Sequence, residues 1–257
     1  MSLFGIDSLN WMLVFLRTSG FLAVFPLLSA NNIPLRVRTA IGVLLASMIA
    51  PLLPPVSIAG LSFGTALGWM ITEVSVGLLL GFVARMVFYA IDFAGGVMAV
   101  HIGLSFAPNP NPFVNMQSDV PGLILYFLAA MLFFCLDLHH WLLVAFQRAY
   151  VVLPVGGASL RESSLVNLVT QSSGIFLVGV QIAAPIMAVA FLVSLVFSIL
   201  ARAVPQMNVF SESFPVRIVA GLVVFGFSLH LMAQHLLNYL RRLPEDLMRA
   251  AQLLGAA

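Results

Sequence analysis

Charge is scarce in this 257-residue chain: 8% of its residues are Asp, Glu, Lys or Arg, against roughly a quarter in an ordinary soluble domain. Lysine is absent, so all eleven basic residues are arginine, which excludes Schiff-base and P-loop chemistry. The net charge is only +2, and the arginines stand singly except for Arg36/Arg38 and Arg241/Arg242. No basic face for nucleic acid can be assembled from them. The single cysteine, Cys135, lies inside an apolar run; it can form no intrachain disulfide and reads as a small buried hydrophobe. H-E-x-x-H, Walker and G-x-G-x-x-G patterns are missing, as is any charged, Ser-rich or Pro-rich linker, so the sequence offers no soluble catalytic module. The first residues carry neither a basic n-region nor an A-x-A cleavage signal, and they are expected to form a retained first segment.

What is present is apolar. Hydrophobic residues make up 61% of the chain and the mean hydropathy is +1.10, which leaves too little polar surface to cover a globular particle in water. Apolar stretches at about 9–28, 37–53, 66–91, 120–152, 165–200 and 216–240 are each long enough for a helix near a bilayer's thickness. Pro34, Pro51, Pro54, Pro55, Pro108, Pro110 and Pro112 punctuate them. The expected fold is all-α, one continuous domain over residues 1–257 built of membrane-type helical hairpins.

A conventional six-span protein fits poorly. The stretch 120–152 has 33 residues, about 50 Å as one helix, while the hydrocarbon slab is about 30 Å. Asp137, His139 and His140 interrupt its middle, and the next stretch contains Gly174, Gly179 and Pro185. Both are expected to be bent or broken. Alternating spans would place Arg36, Arg38, Arg202 and Arg217 on one side and Arg148, Arg161, Arg241, Arg242 and Arg249 on the other, which sets no orientation. Both rules relax where apolar surface is covered by protein instead of lipid, so the chain is expected to be a subunit of something larger.

Several residues are candidates for chemistry. Glu73, Arg85 and Asp92 share one apolar segment, where charges pair or line a watery path; an ion pair holding neighbouring helices or subunits is favoured over a proton or ion relay. Asp137 and His140 are three apart and adjoin on a helix, with His139 between them. Two ligands do not complete a metal shell, so no metal is expected and the histidines are read as satisfying a helix break. His101 and Ser105 are four apart, but Gly103-Leu104-Ser105-Phe106-Ala107 lacks the glycine after serine of a nucleophile elbow. No catalytic or cofactor-binding residue is expected. Gly60, Gly64 and Gly68, and again Gly77 and Gly81, are spaced by four, giving two small faces on which helix backbones can approach closely. The loop 106–119 combines Pro108, Asn109, Pro110, Asn111 and Pro112 with the apolar Phe106, Phe113, Val114 and Met116, the composition a water-excluding plug would need, although an ordinary connection has it too. Pro244 followed by Glu245 and Asp246 predicts a short C-terminal docking helix with Leu243, Leu247, Ala250, Ala251 and Leu254 on its apolar face.

At Ala201-Arg202-Ala203-Val204-Pro205-Gln206-Met207-Asn208-Val209-Phe210, followed by Phe214-Pro215 and Gly221-Leu222, the sequence resembles the FliR family of flagellar export-gate proteins, with its injectisome relatives. The resemblance extends to residues 103–107, to Asp137-Leu138-His139, where the family often has Asn-Gly-His, to Leu153-Pro154-Val155-Gly156 and to Ala184-Pro185. It covers nearly the whole chain. It implies a non-enzymatic subunit, like FliP and FliQ joined end to end, assembling as one copy with several copies of those two proteins into a helical cone. The cone would pass unfolded export substrates, meet FlhB at its base and work with FlhA. The resemblance further implies a plug formed by residues 106–116, an assembly motif at Arg202, Pro205, Gln206, Asn208, Phe210, Phe214 and Pro215, and a place in the flagellar basal body at the bacterial inner membrane, raised largely to its periplasmic side. The alternatives from composition alone are a secondary transporter working through Arg85 and Asp92, whose broken segments would suit discontinuous transport helices, and an intramembrane enzyme.

Overall fold

The computed structural model describes residues 2–3, 6–27, 33–54, 62–104, 120–158, 162–206 and 208–255. The fold is all-α. Among the described residues, two two-residue strands, β1 (Ser2–Leu3) and β2 (Ile6–Asp7), pair antiparallel ahead of seven α-helices: α1 (Ser8–Val24), α2 (Leu35–Ile49), α3 (Phe63–Ile102), α4 (Val120–Cys135), α5 (Leu138–Val152), α6 (Glu162–Ala203) and α7 (Val209–Gly255). Pro34 precedes the first turn of α2, and a 3-10 turn over Ala50–Leu52 ends it at Pro51. Among the described residues, four helices are long and apolar enough to cross a membrane, or five if the bent pair α4 and α5 is one span.

The break falls at Asp137, which carries a left-handed φ of 54°. Asp and Asn are among the few residues with side chains that visit this region, so Asp137 can hold the turn. Two other expectations need correction. Of the expected bend or break in α6, there is no break: the helix is continuous through Gly174, Gly179 and Pro185, because an apolar helix can absorb one missing N–H among packed neighbours. There is no separate C-terminal helix either: α7 continues through Pro244 to Gly255, since proline's fixed φ is compatible with the helix and only one backbone bond is lost. The apolar face expected there is real, with Leu243, Leu247, Ala250, Ala251 and Leu254 all buried.

The chain divides into two compact units. The first comprises residues 1–86, 137–171 and 241–257, the second residues 87–136 and 172–240. In the first, Leu13, Val14, Phe21 and Leu22 of α1, Leu80 and Ala84 of α3, Leu142 and Phe146 of α5, and Leu247 and Ala251 of α7 form the core, with the rings of Phe21 and Phe146 4.6 Å apart. Helix α2 lies against α1, where the Trp11 indole N–H donates to Ser47 Oγ at 3.1 Å. In the second unit, Phe88, Ile91 and Met98 of α3, Leu125 and Phe133 of α4, Ile182 and Ile186 of α6, and Leu236 of α7 are buried. There α3 and α4 cross backbone to backbone: a Cβ at Gly95 would fall on Gly122 Cα.

The outside is as apolar as the inside. Phe63 and Phe227 are each 85% exposed, and α6 alone displays Phe176, Leu177, Phe191, Leu192 and Ile199. Such surface needs lipid or other protein to cover it.

Candidate functional site

The most heavily constrained chemistry lies in the first unit, around a charge that sequence reasoning passed over. Arg17 is the only charged residue between Asp7 and Arg36, and Glu73 the only one between Arg38 and Arg85. Both side chains are fully buried, and they face each other. Arg17 Nε donates to Glu73 Oε2, and Nη2 donates to Oε1 at 2.9 Å, a bidentate pair. Nη1 donates to the carbonyl of Leu153 at 2.8 Å, and Nη2 also donates to the carbonyl of Pro154 at 3.4 Å. The guanidinium stacks over Tyr150, 4.2 Å from the ring centroid. Glu73 Oε1 in turn accepts the Gly156 amide at 2.9 Å.

The pair thus ties α1 and α3 to the turn that leaves α5, which is the Leu153-Pro154-Val155-Gly156 segment. That turn cannot satisfy itself: Pro154 has no N–H to extend α5, and only Gly157 N to Pro154 O, at 3.0 Å, closes it. Gly156, the third residue of the hydrogen-bonded turn from Pro154 to Gly157, has φ +76°, the conformation in which glycine costs nothing and other residues are strained. A Cβ there would also come within 3.0 Å of the Trp69 ring. Gly156→Ala is therefore expected to cost about 1–3 kcal/mol, read as a lower melting temperature of the detergent-purified chain by circular dichroism.

Charge this deeply enclosed and this fully hydrogen-bonded does structural work. Its geometry fixes three segments far apart in sequence. The signal that could have found it is that Arg17 is the sole charge of its apolar stretch, and a buried charge needs a partner of opposite sign from another segment.

Of the other charges expected inside, Arg85 is half-buried and its Nη1 donates to the Val24 carbonyl at the end of α1, at 3.4 Å. Its positive charge suits that helix C-terminus. His139 is half-buried. Asp92 and Asp137 are both exposed on the chain itself. Arg85 and Asp92 are not brought together with Glu73, whose partner is Arg17.

The plug residues Phe106, Pro108, Asn109, Pro110, Asn111, Pro112, Phe113, Val114 and Met116 lie outside the described residues. The stem before them is described. Gly103 ends α3 with φ +95°, and the Phe214 ring lies so close that a Cβ on Gly103 would meet its Cζ at 3.1 Å. A Cβ on Gly221 would meet Ile102 Cγ1 at 2.6 Å. The first turns of α7 therefore clamp the end of α3. Asn208 starts α7 as its N-cap, its Oδ1 accepting the Ser211 amide at 3.4 Å, and Phe210 stands in the first turn. Arg202, Pro205, Gln206 and Pro215 are exposed.

Gly77 and Gly81 do form a crossing, with Gly20 of α1 as its third member. A Cβ on Gly20 would meet Val74 O at 2.8 Å, one on Gly77 the Arg17 carbonyl oxygen, and one on Gly81 the Phe21 carbonyl oxygen at 2.6 Å. The other glycine face is different: Gly60 lies outside the described residues, Gly64 meets only Ser62 Oγ at 3.8 Å, and Gly68 has nothing within 4 Å among the described residues.

Comparison with known proteins covers most of the chain. The family described as bacterial export proteins, family 1, matches residues 8–243. The flagellar biosynthetic protein FliR of Escherichia coli (strain K12) is 28% identical over 246 residues, covering 93% of this chain and 94% of that protein. The protein of the same name from Bacillus subtilis (strain 168) is 28% identical over 218 residues, 83% of each chain, and that from Aquifex aeolicus (strain VF5) is 26% identical over 231 residues, covering 89% and 88%. With a match from the start of α1 to the last turns of α7, the chain belongs to the bacterial export proteins, family 1.

Proposed function

We propose that this chain is a structural, channel-forming subunit of the flagellar type III protein export gate in the bacterial inner membrane, present as one copy among several copies of FliP and FliQ. It meets FlhB at the base of the assembly, works with FlhA, and passes unfolded flagellar proteins without an active site of its own. The observation that carries this reading is the family match over residues 8–243, together with relatives named for flagellar biosynthesis along most of both chains. The uncovered apolar faces of α2, α6 and α7 support it physically, because a helix-rich cone of many subunits would bury them. The retained Pro205-Gln206-Met207-Asn208-Val209-Phe210 segment favours the flagellar gate over the injectisome one. Residues 106–116 act as the plug, and the Phe214 clamp on Gly103 holds their stem against the start of α7.

The test is to co-express the tagged chain with its candidate partners, extract it in mild detergent and measure the native mass, then repeat with Asn109–Phe113 deleted. The expected result is a large hetero-oligomer with one copy of this chain in both preparations, and raised ion conductance of membranes carrying the deletion. A stable monomer or homodimer would overturn the gate and favour a transporter working through Arg85 and Asp92. An intact complex with unchanged conductance would overturn the plug alone.

A further inference from the structure

The break between α4 and α5 gathers three metal-ligating side chains. In a regular helix Asp137 and His139, two residues apart, would point to opposite sides. The left-handed backbone at Asp137 takes this residue off the helical path. Although Asp137 occupies the N-cap of α5, its carboxylate makes no capping hydrogen bond to the helix, the usual role of an aspartate there. It faces the histidines instead, with Oδ1 3.5 Å from His140 Nδ1. The two imidazole rings lie 4.1 Å apart between centroids, tilted by 37°. One ligand atom from each of Asp137, His139 and His140 falls within 4.8 Å of the other two.

From this geometry we propose that Asp137, His139 and His140 bind a divalent first-row transition metal ion, zinc being the best fit. At the usual metal–ligand distances the ligand atoms of a tetrahedral site stand about 3.4 Å apart. The Asp137–His140 edge is already at that spacing, and the remaining edges, at no more than 4.8 Å, need to close by at most about 1.4 Å to reach it. Two imidazoles and one carboxylate disfavour calcium and magnesium, which take oxygen shells, and suit zinc, with water in the fourth position. The ion locks the left-handed turn that starts α5.

The test uses the full-length chain in mild detergent, purified through a histidine-free tag and titrated with cobalt(II) alone, followed by its visible absorption and then by displacement with zinc. One cobalt per chain with tetrahedral bands is expected. A residue that only orients a metal ligand is worth about 10–100-fold in metal affinity, so loss of a direct ligand in His139→Ala, His140→Ala or Asp137→Asn should weaken binding at least about tenfold. Asp137→Asn keeps a residue tolerant of the left-handed turn, so its metal-free melting temperature should match the parent's and separate lost ligation from lost folding. Cys135→Ser and a His101→Ala/His230→Ala/His235→Ala variant should bind as the parent does. No cobalt binding, equal affinity in the three ligand variants, or loss of binding in Cys135→Ser or in the triple histidine variant would each overturn the site.

Discussion

Arg17→Met is expected to destabilise the chain by about 3–5 kcal/mol, because it leaves Glu73 as an uncompensated charge with no exposed side-chain surface. Against a typical total of about 5–15 kcal/mol, that is enough to lower severely the yield of intact chain, and the export complex should fail to accumulate. The comparison variants make the cause readable. Arg17→Lys keeps the charge but cannot reproduce the bidentate fork together with the Leu153 and Pro154 carbonyl contacts, so an intermediate loss is expected. Arg17→Met/Glu73→Leu removes both charges and should recover part of the loss. Recovery stays partial because the Leu153 carbonyl and the Gly156 amide lose their partners, and each unmet buried group costs about 1–3 kcal/mol. The readout is the melting temperature and protease resistance of detergent-purified chain. A single Arg17→Met variant as stable as the parent would show that this pair does not hold the α5 turn.

The helices were legible in the sequence because their signals are local. All six apolar stretches became helices or, at 120–152, a broken pair, and the break fell at the polar Asp137 where the length argument required one. Prolines were read less well: Pro34 and Pro51 bound helices, whereas Pro185 and Pro244 do not, since a lost backbone bond is tolerated wherever packing on neighbouring side chains compensates it. The pairing of Arg17 with Glu73 was hidden for a different reason. The partners are 56 residues apart, and no periodicity within α1 or α3 says which charge of one helix meets which of another. Asp92 shows the reverse error, a charge inside an apolar stretch that faces outward. Periodicity could not separate inside from outside here, because α3 is apolar all round and α6 and α7 expose large hydrophobic side chains.

Gly77→Ala is expected to destabilise where Gly68→Ala is not, although both put the same methyl group on the same helix. In an exposed helix interior alanine is favoured over glycine by up to about 1 kcal/mol, and at Gly68 the added Cβ meets nothing within 4 Å, so that variant should be neutral or slightly stabilised. At Gly77 the Cβ would fall on the backbone carbonyl oxygen of Arg17 and reach the Phe21 amide at 3.0 Å. Backbone cannot rotate aside as a side chain can, so α1 itself must move, at about 1–3 kcal/mol or more. That movement carries a second consequence. Glu73 lies one helical turn before Gly77 on α3, and Arg17 supplies both the carbonyl at the crossing and the guanidinium on Glu73. Pushing α1 off Gly77 also lifts Arg17 away from its partner, so the two lesions share one structural element and should not add. Thermal melts of Gly77→Ala, Arg17→Met and the double variant test this: the alanine should cost clearly less in the Arg17→Met background than in the parent. Equal cost in both would mean that the glycine crossing and the buried ion pair are independent supports.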